Sequence, residues 1–478
     1  MKQVGWSDIL VGRLDKAQLR NPDYMPPLST AVPLGIQHVL AMFVSNVTPA
    51  IIIAGAAGFG FGSQSPDFEN LVYMIQMAIL FAGIGTLFQT IGMGPVGGRL
   101  PIVLGTSFAF LPVMIPAVAG QGVSAMAALM GGVFIGGLFH FSLGSIVKRM
   151  RFALPPLVTG LIVLMIGLAL VRVGIQYSAG GVPLIGTEEY GALRYWSVAI
   201  VVVLVTLLLK FFARGLWSIA AVLLGLVVGY CVALFMGMVD FGNVADAGWL
   251  ALPSPFKWGF EFSMPIVIGM CFMSIISAIE TVGDVSGITK GGAGREATDR
   301  EISGATYADG LATAVGGVFG SLPNTSFSQN VGLVSMTGVM SRHVVTCGAL
   351  FLILCGLIPK VGAVIATVPI AVLGGGVIIM FGMVAAAGVK ILSAVEWNRR
   401  NMVIFAVSLS VGLGLQLEPD ALQHLPETAQ ILLTSGLLPS AFLAISLNLL
   451  LPEEAGEDVR ASQTEERGEI QPVGVRDA

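Results

Sequence analysis

Leu100-Pro101-Ile102-Val103-Leu104-Gly105-Thr106-Ser107-Phe108 and Leu322-Pro323-Asn324-Thr325-Ser326-Phe327 carry one pattern twice, a Leu-Pro step followed by Thr-Ser-Phe, once in each half of the chain. Each copy is preceded by Gly-x-x-Thr, from Gly83 to Thr86 in the first half and from Gly310 to Thr313 in the second. The two copies sit in short segments, around 102–116 and 322–338, that mix apolar residues with Pro, Gly, Ser, Thr and Asn. A helix interrupted at membrane depth leaves backbone N–H and C=O groups open, and these are tolerated only against protein, water or a bound molecule. Two such segments, one per half, point to a carrier whose site lies between them.

Composition supports the membrane part of that reading. The 478 residues are 55% hydrophobic and 11% charged, whereas soluble domains are about a quarter charged. Apolar windows between charged or Gly/Pro breaks give roughly fourteen spans between residues 29 and 451. Seven spans separate the copies, an odd number, so the two halves are expected to lie inverted in the bilayer. With a cytoplasmic N-terminus, the inner loops hold Arg99, the Lys148–Arg151 run, Lys210 with Arg214, the Lys290–Arg300 segment, Arg342 and Arg399-Arg400. That bias sets both termini in the cytoplasm. Residues 1–28 are polar and lack the apolar run of a secretory signal, and the short loops suit a cytoplasmic (inner) membrane. The tail 452–478 holds eight acidic and three basic residues, which leaves the rest of the chain at +1 within the net −4. It reads as a disordered, solvated cytoplasmic tail with no nucleic-acid partner. Cys231, Cys271, Cys347 and Cys355 have no metal or disulfide spacing and read as small buried apolar residues.

Ionisable residues inside membrane spans are costly and mark candidate sites. Glu280 and Asp284 lie four apart, one turn apart on one helix face, and such a pair can take up and release a proton. The alternative is that they cap the inner end of the helix and face water. His38 within the first span can reach toward these carboxylates or bridge two helices. Asp309 can join a proton relay or tie helices together. Gln329-Asn330 follows the second Thr-Ser-Phe directly, and a primary amide offers donor and acceptor to a planar heterocycle. No Ser-His-Asp spacing, Walker loop or His/Cys metal cluster is present, so neither an enzyme, a metal site nor a cofactor is expected. A rival reading, an anion exchanger of the same architecture, requires a cation facing the broken spans, and no Lys or Arg is near Gln329 or Phe108 in the sequence.

The run Gln329-Asn330-Val331-Gly332-Leu333-Val334-Ser335-Met336-Thr337-Gly338 fits the signature of the nucleobase-ascorbate transporters, also called nucleobase:cation symporters. Gln37-His38, Gly105-Thr106-Ser107-Phe108, Glu280 to Asp284 and Ala308-Asp309-Gly310 match the same family in order, so the chain resembles it from about residue 28 to 451. The resemblance implies an all-α polytopic fold with two inverted seven-span repeats and short strands in the broken spans 3 and 10. A core domain would comprise 29–153 (spans 1–4) and 262–360 (spans 8–11), and a gate domain 154–240 (spans 5–7) and 361–451 (spans 12–14), with an extracellular loop at 241–261. It implies a homodimer, and a substrate bound by Phe108, Ala109, Glu280, Phe327, Ser328 and Gln329, with Asn330, Gly332 and Thr337 in support. His38, Asp284 and Asp309 would form the proton-linked network, sodium being the other candidate ion. Glutamine at the first signature position goes with xanthine and uric acid in similar proteins, glutamate with uracil. Ala109 departs from the polar residue of several purine carriers and leaves urate and xanthine both open.

Overall fold

The structure, a computed structural model, describes residues 11, 14–15, 18–60, 65–147, 149 and 155–452. The acidic tail from 453 onward, the first ten residues, and Lys148 and Arg151 of the basic run lie outside the described residues. The first half contributes α1 (Leu28–Ala57), α2 (Phe68–Ile91), β1 (Leu104–Thr106), α3 (Leu111–Val118), α4 (Ala125–Leu143), α5 (Pro156–Ser178), α6 (Leu193–Phe212) and α7 (Ala221–Phe235). The second contributes α8 (Met264–Ile288), α9 (Asp299–Val318), β2 (Asn324–Ser326), α10 (Ser328–Thr337), α11 (Arg342–Gly356), α12 (Ile370–Leu392), α13 (Arg399–Leu417) and α14 (Leu437–Leu450).

Eight of the described helices are long and apolar enough to cross a bilayer alone. The chain is a multi-pass membrane protein. The others have local reasons for being shorter or more polar. α9 opens on Asp299-Arg300-Glu301 behind a capping box, in which Thr298 accepts from the Glu301 N–H and Glu301 accepts from the Thr298 N–H. α3 and α10 are half-length because β1 and β2 take the first part of each broken span. The last span departs from the single helix expected over 429–451: it bends by 81° ahead of α14. Gly436 adopts φ 66° at the bend, and Ser435 Oγ accepts from the Leu438 N–H at 3.2 Å to start the new helix.

The inverted repeat is visible in the packing, where each helix corresponds to the one seven places later. α4 packs on α8 and α9, and its counterpart α11 packs on α1 and α2. α12 packs on α6 and α7, and α5 on α13 and α14; α5 and α12 pack on each other. The helices therefore sort into a core group, α1–α4 with α8–α11, and a gate group, α5–α7 with α12–α14. The echoed glycines make the core contacts possible. A Cβ on Gly83 of α2 would sit 2.8 Å from the Ala349 carbonyl oxygen of α11, and one on Gly310 of α9 would sit 2.2 Å from the Phe141 nitrogen of α4. Backbone this close admits no side chain. The four cysteines are not the buried residues expected: Cys231 is exposed on the gate helix α7, and the other three are half-buried.

Candidate functional site

β1 and β2 pair antiparallel with Gly105 opposite Thr325, so the two broken spans meet at the centre of the core group. Each strand is held by the threonine of its own Gly-x-x-Thr. Thr86 Oγ1 accepts from the Leu104 N–H at 2.9 Å, and Thr313 Oγ1 accepts from the Asn324 N–H at 3.0 Å. These bonds satisfy backbone groups that an interrupted helix would leave open. Two residues that the sequence did not single out complete the frame. Asn46 of α1 accepts from the Thr106 N–H at 2.8 Å while its amide donates to the Ala78 carbonyl of α2. Ser277 of α8 donates to Thr325 Oγ1 at 3.1 Å.

The chain ends of these strands open into a cavity of about 340 Å³ between the core and gate groups. Phe108, Ala109, Glu280, Phe327, Ser328 and Gln329, the six residues expected to bind substrate, all line it. Met380, Met383 and Val384 of α12 and Val163 and Ile166 of α5 form the facing apolar wall. Phe108 meets Phe381 of α12 edge-on, ring centroids 5.3 Å apart. Phe327 is buried, with its ring against Gly105. The Ala109 N–H donates to Ser107 Oγ at 3.2 Å.

Glu280 faces this cavity and has no hydrogen-bond partner or ion pair among the described residues. Asp284, one turn on, does not cap a water-facing helix end: α8 continues past it to Ile288, and Asp284 is buried. It accepts from Ser326 Oγ and Ser328 Oγ, both at 2.7 Å, and so ties α8 to β2 and to the start of α10. Asp309 is fully buried and accepts from Gln89 Nε2 of α2 at 2.8 Å and from Thr281 Oγ1 of α8. No Lys or Arg pairs with any of the three carboxylates among the described residues. His38 is not drawn to them. Asn330 Nδ2 donates to its Nδ1 at 3.0 Å and to its carbonyl at 3.1 Å, which pins α10 to α1. Thr337 closes α10 by donating to the Leu333 carbonyl at 2.9 Å. A Cβ on Gly332 would meet nothing within 4 Å, so no packing in the structure explains that glycine. One lining residue corrects the sequence reading outright: Lys210, assigned to a loop beyond the site, lines the same cavity.

A family model described as a permease family, Xan_ur_permease, matches residues 29–421. The chain belongs to this permease family, the one its sequence resembles. It is similar to the putative purine permease CPE0397 of Clostridium perfringens, 37% identical over 89% of this chain and 91% of the relative. Xanthine permease XanQ of Escherichia coli (strain K12) is 34% identical over 89% and 92%, and uric acid permease PucJ of Bacillus subtilis (strain 168) 33% over 90% and 95%. Among solved structures, the transmembrane domain of the cyanobacterial bicarbonate transporter BicA aligns with a TM-score of 0.55 at 14% identity, over 89% of this chain and 98% of that one. SLC26A9 aligns with a TM-score of 0.60 at 11% identity, covering 89% and 66%. These structures share the fold. The permease is a transporter and not an enzyme.

Proposed function

We propose that this permease is a proton-coupled symporter that imports an oxidised purine, uric acid or xanthine, across the cytoplasmic membrane. The observation that carries the reading is the convergence of Phe108, Phe327, Glu280 and Gln329 on one cavity between the core and gate groups. Its volume lies at the small end of ligand sites, and its two faces suit a flat heterocycle. Apolar and aromatic side chains bury the ring, while Glu280 accepts from ring N–H groups and the Gln329 amide reads a neighbouring carbonyl and nitrogen. Relatives named for xanthine, uric acid and purine support that substrate class.

Three carboxylates without cationic partners need a countercharge inside the membrane, and a proton supplies it. Glu280 would bind substrate while the proton is shared among the three carboxylates, with Asp284 and Asp309 also holding the strand and helix around it. The core (29–153 and 262–360) would rock against the gate (154–240 and 361–451), so that the cavity faces each side in turn. A homodimer and cytoplasmic termini belong to the same reading.

Uptake of labelled urate or xanthine by cells lacking their own carriers should rise with an inward proton gradient and collapse with a protonophore. Indifference to both, or a requirement for sodium, would remove the proton. Gln329→Glu should shift preference toward uracil, because a carboxylate can accept from a ring N–H but cannot donate to a purine carbonyl or ring nitrogen. An unchanged order of xanthine or urate over uracil would take Gln329 out of the specificity role.

A further inference from the structure

Lys210 lies in the last turn of α6, where a lysine ordinarily stretches along the helix to reach the headgroups. The periodicity of α6 argues for another direction. Its buried stripe runs through Val198, Ala199, Val202 and Thr206, and Lys210 is the next residue on that line. The flank exposed along the helix is a different one, with Ile200, Leu204, Leu207, Leu208 and Phe211. The buried stripe packs on the gate: a Cβ on Gly375 of α12 would sit 2.4 Å from the Ala199 carbonyl oxygen, and one on Gly225 of α7 would sit 2.1 Å from Thr206 Oγ1. A helical side chain also leans back over the turn N-terminal to its own Cα. Lys210, itself exposed at the end of that line, lines the cavity together with Ile219, Val222 and Leu223. Among the described residues it is the only cation lining the cavity, as Glu280 is the only carboxylate. Neither is ion-paired among the described residues, and they belong to opposite groups, Lys210 to the gate and Glu280 to the core.

We infer that Lys210 makes the cavity selective for a purine in its monoanionic form, which makes urate rather than neutral xanthine the preferred substrate. The inference rests on the oxidised-purine reading above and sharpens it. Urate gives up its first proton well below neutrality and xanthine only near it, so at mildly acidic pH the two rings differ by one negative charge as well as by urate's oxygen at C8. An otherwise apolar gate wall offers that charge one partner. An anion held by Glu280 on its N–H edge and by Lys210 on its oxygens spans core and gate, so closing the gate tightens both contacts.

The test compares uptake of urate and xanthine at mildly acidic pH for the wild type, Lys210→Gln and Lys210→Arg in the full chain, with protein level measured in the membrane. Lys210→Gln should raise the urate KM about five- to tenfold, as expected for a charge-assisted contact at a partly exposed rim. The xanthine KM should stay within about twofold, and Lys210→Arg should keep the wild-type ratio. A ratio that Lys210→Gln leaves unmoved makes Lys210 a helix-end lysine and overturns the inference alone. An equal loss of both substrates assigns it to gating or folding and also overturns it, as does a wild type that carries xanthine but not urate. A wild type that carries neither purine overturns the substrate reading itself.

Discussion

Replacing Glu280 by glutamine is expected to abolish concentrative uptake and to weaken substrate binding by about 10- to 100-fold, the range for losing a hydrogen bond to a charged group. The side chain keeps its length and its place on α8, so the packing around it is conserved. What changes is chemistry. A carboxylate accepts through both oxygens and has no donor, whereas the amide keeps one acceptor and turns two N–H groups toward ring N–H groups that are also donors. Among the described residues no cation or donor engages Glu280, so its replacement leaves Asp284 on Ser326 and Ser328, and Asp309 on Gln89 and Thr281, as they are. Loss of function with a normal protein level would thus report the cavity rather than the fold. Glu280→Asp should retain measurable uptake with a raised KM, because it shortens the reach without removing the charge. The measurement is labelled-purine uptake alongside membrane protein level. Wild-type accumulation by the glutamine variant would remove Glu280 from both binding and proton coupling.

Much of the fold was legible because the repeat was written in residues with one physical use each. Gly83 and Gly310 stand where helices touch backbone to backbone, and Thr86 and Thr313 where a strand needs an acceptor, so both halves had to keep them. The six cavity residues came from the two broken spans and the carboxylate helix, and they do meet. The positions that escaped depend on partners far away in sequence. Asn46 is one of several polar residues in a long apolar helix, and nothing local shows that it meets Thr106, sixty residues on. His38 looked like a partner for the carboxylates because both are polar and intramembrane, but the fold gives it Asn330. Lys210 was counted as a loop cation because it stands at a span end. Its direction follows from which side of α6 is packed, and four buried positions ahead of it reveal that only once the neighbours are known. The bend before α14 rests on one glycine among 62 in the chain.

Gly105→Ala is the second change expected to cost most of the transport, and it does so without touching a polar group. A Cβ there would lie 2.3 Å from Phe327 Cε2, 2.7 Å from Asn46 Oδ1 and 2.7 Å from Met42 Cε. None of these three has a free direction. Phe327 is 5% exposed, and Asn46 and Met42 are fully buried. If the phenyl ring yields, it moves off the strand and into the space that the substrate ring would occupy. If β1 yields instead, it leaves α1 and stretches the Asn46 bonds to Thr106, and with them the register that brings Phe108 and Phe327 to one cavity. Overpacking of this kind costs about 1–3 kcal/mol, and because relief through the ring or the strand runs through the site, that cost should appear as about a 5- to 150-fold loss in affinity. Gly414→Ala on α13, where a Cβ would meet nothing within 4 Å, provides the matched control and should transport as the wild type does. Uptake kinetics and thermal stability of the purified proteins separate the two effects: Gly105→Ala should raise KM well beyond what its loss of stability explains. A wild-type KM in that variant would mean that Phe327 does not need the bare strand beneath it, and the two-aromatic geometry of the site would have to be given up.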